Sequence, residues 1–406
     1  MASQWTATMS LSRRIRELPA PIGVAFATTL ANRLGTMALP FLMVYLTEVA
    51  HCTPGRAGLV LGAYGAGSLV AGPLAGWAVS RVGARAVMIA SLLGSGVLML
   101  LFSQLEGFTG ILVVTFAWAV SGEAFRPACS AVVAAHVPSE RRREAFAIIR
   151  LAVNLGMTIG PLFGGFISEH SFTTLFVLDA VSSFAAAGFL MLPVGSTLST
   201  PAPTLGMAAS RTEERPAVTP LIVHLIGVLL LAMVAYQGLS TMALYMTQNL
   251  HLPKSSYGIV FALSGLIIVV LEVPLTTWLS GWSHRQLLVI GALLTAIGFA
   301  ALSVAATLTA VIATTLVWTF GEMLLGPAAA ARVADLEPSS RRGLYMGFYN
   351  AIWSASFALG PWLGSISFSQ FGARTHWLIV GAVGLTAAAV FGAQRVAKSR
   401  SAETPA

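Results

Sequence analysis

The chain has 406 residues, of which 56% are hydrophobic and 9% charged, with a formal charge of +8; a typical soluble domain has roughly 25% charged residues. Such a composition excludes a water-exposed globular surface, and apolar stretches of about 20 residues, the length that crosses roughly 30 Å of hydrocarbon, recur along nearly the whole chain. The two cysteines, Cys52 and Cys129, have no paired spacing and indicate neither a disulfide framework nor a metal site.

In chain order, residues 1–17 carry Arg13, Arg14 and Arg16 without a small-residue cleavage site after them, and are expected to form a retained cytoplasmic tail. The first predicted span, 20–47, places Asn32 and Arg33 near mid-membrane. Spans at 57–79 and 86–104 flank a short loop reading Gly76-Trp-Ala-Val-Ser80-Arg81-Val-Gly83-Ala-Arg85. The fourth span, 110–135, sets Glu123 and Arg126 three residues apart on one helical face, close enough to pair. The fifth, 145–167, contains Gly156-Met-Thr-Ile-Gly160-Pro161-Leu-Phe-Gly164-Gly165. Gly156, Gly160 and Gly164 fall at i, i+4 and i+8 and make a smooth face that a neighbouring helix can approach closely. Arg150 lies little more than a turn from the cytoplasmic end of that span, where a long side chain can snorkel. A sixth span, 174–193, is followed by residues 194–218, rich in Pro, Thr, Ser and Ala, which read as a flexible cytoplasmic linker.

Six further spans are predicted at 219–246, 257–279, 287–305, 308–334, 343–367 and 375–393, making twelve. Sliding the chain by 200 positions lays Tyr45, Thr47 and His51 on Tyr245, Thr247 and His251, and Gly58 and Gly65 on Gly258 and Gly265. The same offset holds for Arg85 and Arg285, Trp118 and Trp318, Pro127 and Pro327, and Gly160-Pro161 and Gly360-Pro361. Two related six-helix bundles are therefore expected, 1–193 and 219–406, joined by the linker.

Inner segments hold Arg81, Arg85, Arg141 to Arg143, Arg211, Arg215, Arg285, Arg341, Arg342, Arg395, Lys398 and Arg400 besides the tail, whereas the outer loops hold Arg56, Lys254 and Arg374. This bias puts both termini in the cytoplasm of a plasma (inner) membrane protein. Basic residues scattered through short loops also argue against a nucleic-acid partner. No Walker-type loop, nucleophile elbow or His-Glu-x-x-His helix is present, so no enzyme and no cofactor is expected, and energy must come from a gradient.

Ionisable groups at bilayer depth cost at least about 2.5 kcal/mol and usually face a cavity. Arg33, Glu123, Arg126, Arg150, Glu272 and Glu322 stand out. Glu322 has no arginine within a turn on its own helix, and burial disfavours a lone charge, the condition for a carboxylate to carry a proton. It leads Glu123 and Glu272 as the proton-coupling candidate. Glu272, just before Pro274 and nearer the cytoplasmic end, can equally act as a water-exposed gate. Arg33, Asn32, Arg126 and Gln237 are candidates for lining a substrate cavity, with interhelical hydrogen bonding as the alternative.

A parallel repeat of six spans resembles the major facilitator superfamily, an all-α membrane fold of twelve helices in two pseudo-symmetric bundles. The loop Gly76 to Arg85 is similar to the superfamily's Gly-x-x-x-Asp-Arg-x-Gly-Arg loop, with Ser80 in place of its Asp. The resemblance implies that Gly76, Arg81, Gly83 and Arg85 belong to a conformational latch. Gly156 to Gly165 resembles the Gly-Pro-x-x-Gly-Gly element of drug/proton antiporters, and the stretch around Glu322 resembles that of proton-driven multidrug exporters. The implied function is proton-coupled efflux of small amphipathic compounds by alternating access, in a monomer whose partners are its substrate, protons and the lipid bilayer. The alternatives are an uptake symporter or uniporter of a small polar solute, and a membrane sensor or scaffold that does not transport.

Overall fold

A computed structural model describes residues 19–138, 141–198, 218–336 and 342–394. Arg13, Arg14, Arg16, Arg211, Arg215, Arg341, Arg395, Lys398, Arg400 and most of the predicted linker lie outside the described residues, as do the side chains of Arg143 and Arg342. The described residues are almost entirely helical: α1 Ala20–Leu34, α2 Ala38–Glu48, α3 Pro54–Val82, α4 Ala84–Phe102, α5 Phe108–Glu123, α6 Phe125–His136, α7 Arg142–His170, α8 Phe172–Met191, α9 Val218–Ala235, α10 Thr241–Leu244, α11 Lys254–Trp278, α12 His284–Ala301, α13 Leu308–Asp335 and α14 Arg342–Gly392. Among the described residues, nine helical segments are long and apolar enough to cross a membrane.

The difference from twelve uninterrupted spans has local causes. The 51-residue α14 contains the last two predicted spans, joined at Gly372, whose φ of 76° breaks the helical path. The first predicted span is two helices, because the ring of Pro40 on α2 would clash with the carbonyl four residues earlier in a continuous helix, so the chain unwinds at Gly35–Met37. The seventh is also split, into α9 and a short α10 continued by a π-turn, Tyr245–Asn249, with an unwound stretch around Gly238. α5 and α6 are separated at Ala124 within one apolar segment, Phe108–His136. The start of the predicted linker is not loose chain: Pro193–Leu198 forms a 3-10 turn, and Leu198 is buried in the core of the first half.

Positions related by the 200-residue offset share geometry. His51 and His251 have left-handed φ values of 50° and 52°. The Cys52 N–H donates to the Leu46 carbonyl at 2.8 Å, and the Leu252 N–H to the Met246 carbonyl at 2.9 Å. The seams between the halves repeat as well. A Cβ on Gly58 would lie 2.7 Å from the Pro361 carbonyl oxygen, and one on Gly258 would lie 2.6 Å from that of Pro161. These seams are α3 on α14 and α7 on α11.

Toward the arginine-poor end, one apolar core runs through both halves and includes Phe41, Tyr45, Leu61, Phe176, Met246, Tyr257, Phe299 and Trp377. Toward the arginine-rich end the core divides into clusters each confined to one half, around Met88, Phe125 and Leu190, around Val133 and Ile148, and around Leu288, Tyr345 and Phe391. The apolar core is thus shared between the halves at the predicted outer face and divided between them at the inner one. Polar contacts reinforce the shared end: Lys254 pairs with Glu48 at 2.9 Å, Gln248 donates to Thr47 at 3.0 Å, and the Ser255 N–H donates to Glu169 at 2.9 Å.

The seam makes a stability prediction. A Cβ on Gly65 would lie 2.2 Å from the Ala358 backbone nitrogen, whereas one on Gly72 of the same helix meets nothing within 4 Å. Gly65→Ala should cost about 1–3 kcal/mol and lower the apparent melting temperature of the detergent-solubilised protein, with Gly72→Ala unchanged or slightly higher.

Candidate functional site

A cavity of ≈ 270 Å³ lies where the halves meet, walled by Asn154 and Met157 of α7 and by residues of the second half that include Tyr236, Leu239, Phe261, Ser264, Ile268, Trp318, Glu322 and Trp353. Its wall is mostly apolar and aromatic, as in most small-molecule sites. Glu322, on α13, makes no hydrogen bond or ion pair with any described residue and reaches the cavity. Ser264 and Thr319 bond each other beside it at 2.9 Å. The Trp318 indole Nε1–H, in a residue 7% exposed, has no partner among the described residues. Its repeat mate Trp118 donates to Ser95 at 3.0 Å.

Glu123 has a different fate. Its expected pairing with Arg126 does not form; the helix is interrupted between them at Ala124, and Glu123 instead accepts from the Tyr64 hydroxyl at 3.1 Å. Arg126 is exposed and lies among the charges around the Tyr236 hydroxyl, with Glu123 and Glu322. An aromatic run connects these groups across the two halves. Trp118 meets Tyr64 at 5.0 Å, Tyr64 meets Phe357 at 5.4 Å, and Phe357 stacks on Tyr236 at 4.5 Å.

Glu272 is neither water-exposed nor unpaired. Its side chain is 11% exposed and forms an ion pair with Arg150, whose side chain is 55% exposed, across the α7–α11 seam. Arg150 is thus held by a carboxylate of the other half rather than reaching out to an interface alone. Gln237 does not present itself to the cavity: its amide donates to the Met233 carbonyl and, at 2.9 Å, to the Gly360 carbonyl, and its oxygen accepts from Thr241. His376 bonds the same threonine at 3.0 Å, completing a network around the unwound part of the seventh span.

The glycine face of α7 packs on the broken first span. A Cβ at Gly156 would lie 2.3 Å from that of Arg33, and Gly160 and Gly164 approach the Leu34 carbonyl and Met37. Pro161 and Gly165 face the other half, against Gly258 and Ser255. The repeat mate Gly360 likewise packs on Met233 of α9. Asn32 accepts from Thr36 through its carbonyl at 3.1 Å, and Arg33 has a buried Nε without a partner among the described residues. In the loop after α3, Gly76 is open and Gly83 turns the chain with φ 84°. Arg81 lies over the Trp77 ring at 5.6 Å, and Arg85 donates to the Leu190 carbonyl at 2.8 Å. Arg81 and Arg85 contact their own half.

Asp179, His224 and His376 are embedded groups that the sequence alone did not single out. Asp179 is a lone acidic residue in the apolar run of the sixth span, so the rule that flagged Glu322 applies to it equally. It is 7% exposed and accepts from the Ala38 N–H at 3.1 Å. His224 and His376 are fully buried.

Long apolar helices, two broken spans and a cavity lined from both halves are the features of a multi-pass membrane protein of the transporter class. The profile of the Major Facilitator Superfamily matches residues 25–242 and again 225–406, and the chain belongs to this family. An uncharacterized MFS-type transporter of Bacillus subtilis, YqjV, is 26% identical over 85% of each chain. A Na(+), Li(+), K(+)/H(+) antiporter of Planococcus maritimus is 24% identical over 87% of this chain and 91% of its own. Among solved structures, a peptide transporter of the POT type superposes with a TM-score of 0.78 at 14% identity, covering 95% of this chain and 97% of that one.

The Arg150–Glu272 pair generates a test. Removing Arg150 leaves a carboxylate buried and uncompensated. Arg150→Met should lower the apparent melting temperature more than Arg150→Met/Glu272→Gln does, and the double-mutant cycle should return a coupling of about 1 kcal/mol, small because Arg150 is half in water.

Proposed function

We propose that this transporter is a proton-coupled exporter of small amphipathic compounds, working by alternating access as a monomer in the plasma membrane with both termini cytoplasmic. The proton gradient supplies the energy, and no cofactor takes part. The observation that carries the reading is Glu322, a carboxylate without a partner among the described residues in a cavity wall that is otherwise mostly apolar and aromatic. In the inward-facing arrangement, Glu322 gives its proton to the cytoplasm, and the ionised carboxylate receives the polar end of a compound. Tyr236, Phe261 and Trp353 take the compound's flat or apolar body. After the halves rock to open outward, a proton from outside neutralises Glu322, the polar contact is lost and the compound leaves. The protonated side chain then crosses back without a net charge in hydrocarbon.

The Planococcus relative favours a second reading, exchange of monovalent cations for protons. Against it stands the cavity wall, which offers a dehydrated alkali ion one carboxylate and few other oxygens.

Cells producing the protein are expected to accumulate less of a fluorescent amphipathic dye such as ethidium than control cells, and a proton uncoupler should restore accumulation. Glu322→Gln keeps the side chain's shape and removes its titration, so the variant should accumulate dye at the control level. Uncoupler-sensitive efflux at the wild-type rate in that variant would sink the assignment. Dye retention unchanged by the wild-type protein, together with proton release from vesicles on addition of sodium or potassium, would favour cation exchange instead.

A further inference from the structure

The unwound segment between α1 and α2 is a place where backbone groups in hydrocarbon are hard to satisfy. The restart at Ala38 leaves amide donors that no preceding turn can bond. A carboxylate from α8 answers this need: Asp179 Oδ2 accepts from the Ala38 N–H at 3.1 Å. A negative charge there would sit at the amino end of α2, where the peptide dipoles favour an anion. α8 comes so near because residue 35 is glycine; a Cβ there would lie 1.5 Å from Ser182 Oγ, one turn beyond Asp179.

A second, independent observation concerns charge. Arg33 occupies the last turn of α1, immediately before the break, and its buried Nε has no partner among the described residues. No direct hydrogen bond joins it to Asp179, but the two flank the same break, Arg33 in the last turn before it and Asp179 on the first amide after it. Glu123, the other carboxylate of this cluster, is engaged by the Tyr64 hydroxyl. In a low-dielectric interior the attraction between Arg33 and Asp179 persists beyond contact distance. The second half solves the same problem with a different set of groups, since its break is held by Gln237, Thr241 and His376.

We propose that Asp179 is a positioning residue for alternating access: it balances the charge of Arg33 and ties down the start of α2, and thereby holds α2 against the second half at the outer seam. α2 and the π-turn carry two of the contacts that close this seam, Glu48 with Lys254 and Thr47 with Gln248. Loss of the charge at position 179 frees Arg33 from its counter-ion, loosens α2 and favours the outward-open arrangement. This role does not depend on Glu322 or on the identity of the cargo.

The test uses the full-length chain in lipid nanodiscs and hydrogen–deuterium exchange read by mass spectrometry. Asp179→Asn keeps an oxygen for the Ala38 N–H, since asparagine caps helices well, and removes only the charge. The variant should speed exchange about tenfold in peptides covering 36–48 and 248–255, and adding Arg33→Gln should bring the rate back to within about twofold of wild type. A purely structural cap predicts wild-type exchange in Asp179→Asn and no suppression by Arg33→Gln; either result overturns the proposal. If Asp179→Asn does not insert, recovery of inserted protein in the double variant supports the charge pairing, and its absence overturns it.

Discussion

A polypeptide in hydrocarbon has no water to bond its amides and carbonyls, and much of this architecture follows from how that demand is met. Regular helix meets it along most of the chain. Where the helix fails, at Gly35–Met37 and near Gly238, side chains take over: Asp179 of α8 on one side, and on the other Gln237 and Thr241 of the broken span itself with His376 of α14. Gly35 lets α8 come close at the first break and Gly360 lets α14 approach α9 at the second, while Gly156 and Gly160 give α7 a similarly close approach to α1. The glycine-rich helices are therefore the complement of the broken ones, and each pair forms within one half.

The relation between the halves rests on a different balance. At the outer face a continuous apolar and aromatic core, reinforced by Glu48 with Lys254, joins them. At the inner face that core is divided, and Arg150 with Glu272 still bridges the α7–α11 seam. Between the faces, Trp118, Tyr64, Phe357 and Tyr236 form a run of rings from the carboxylate of the first half toward the cavity of the second. The two mid-membrane carboxylates, one position out of register under the 200-residue offset, end up unlike: a tyrosine hydroxyl reaches Glu123, whereas no described group bonds Glu322.

Much of this was legible in the chain itself. Hydropathy and length fixed the membrane as solvent, because burial of so little charge has no alternative, and the offset of 200 located the repeat, because related halves keep the residues their seams need. The rule that embedded charges face cavities or partners singled out Glu322 and Glu272 from one-dimensional information. What spacing along a helix could not decide was the partner of each group. Glu123 and Arg126 are neighbours on paper, yet Glu123 is bonded by Tyr64, 59 residues away, and Glu272 meets Arg150 across 122 residues. Gln237 looked like a cavity group and is a backbone brace, because the break that needs bracing arises from tertiary packing as much as from local propensity. The sequence determined which residues must be explained, through the energetic cost of charge in lipid; only the tertiary structure decided which of them are neutralised by partners and which remain open to a ligand, since that depends on distances between helices far apart in the chain.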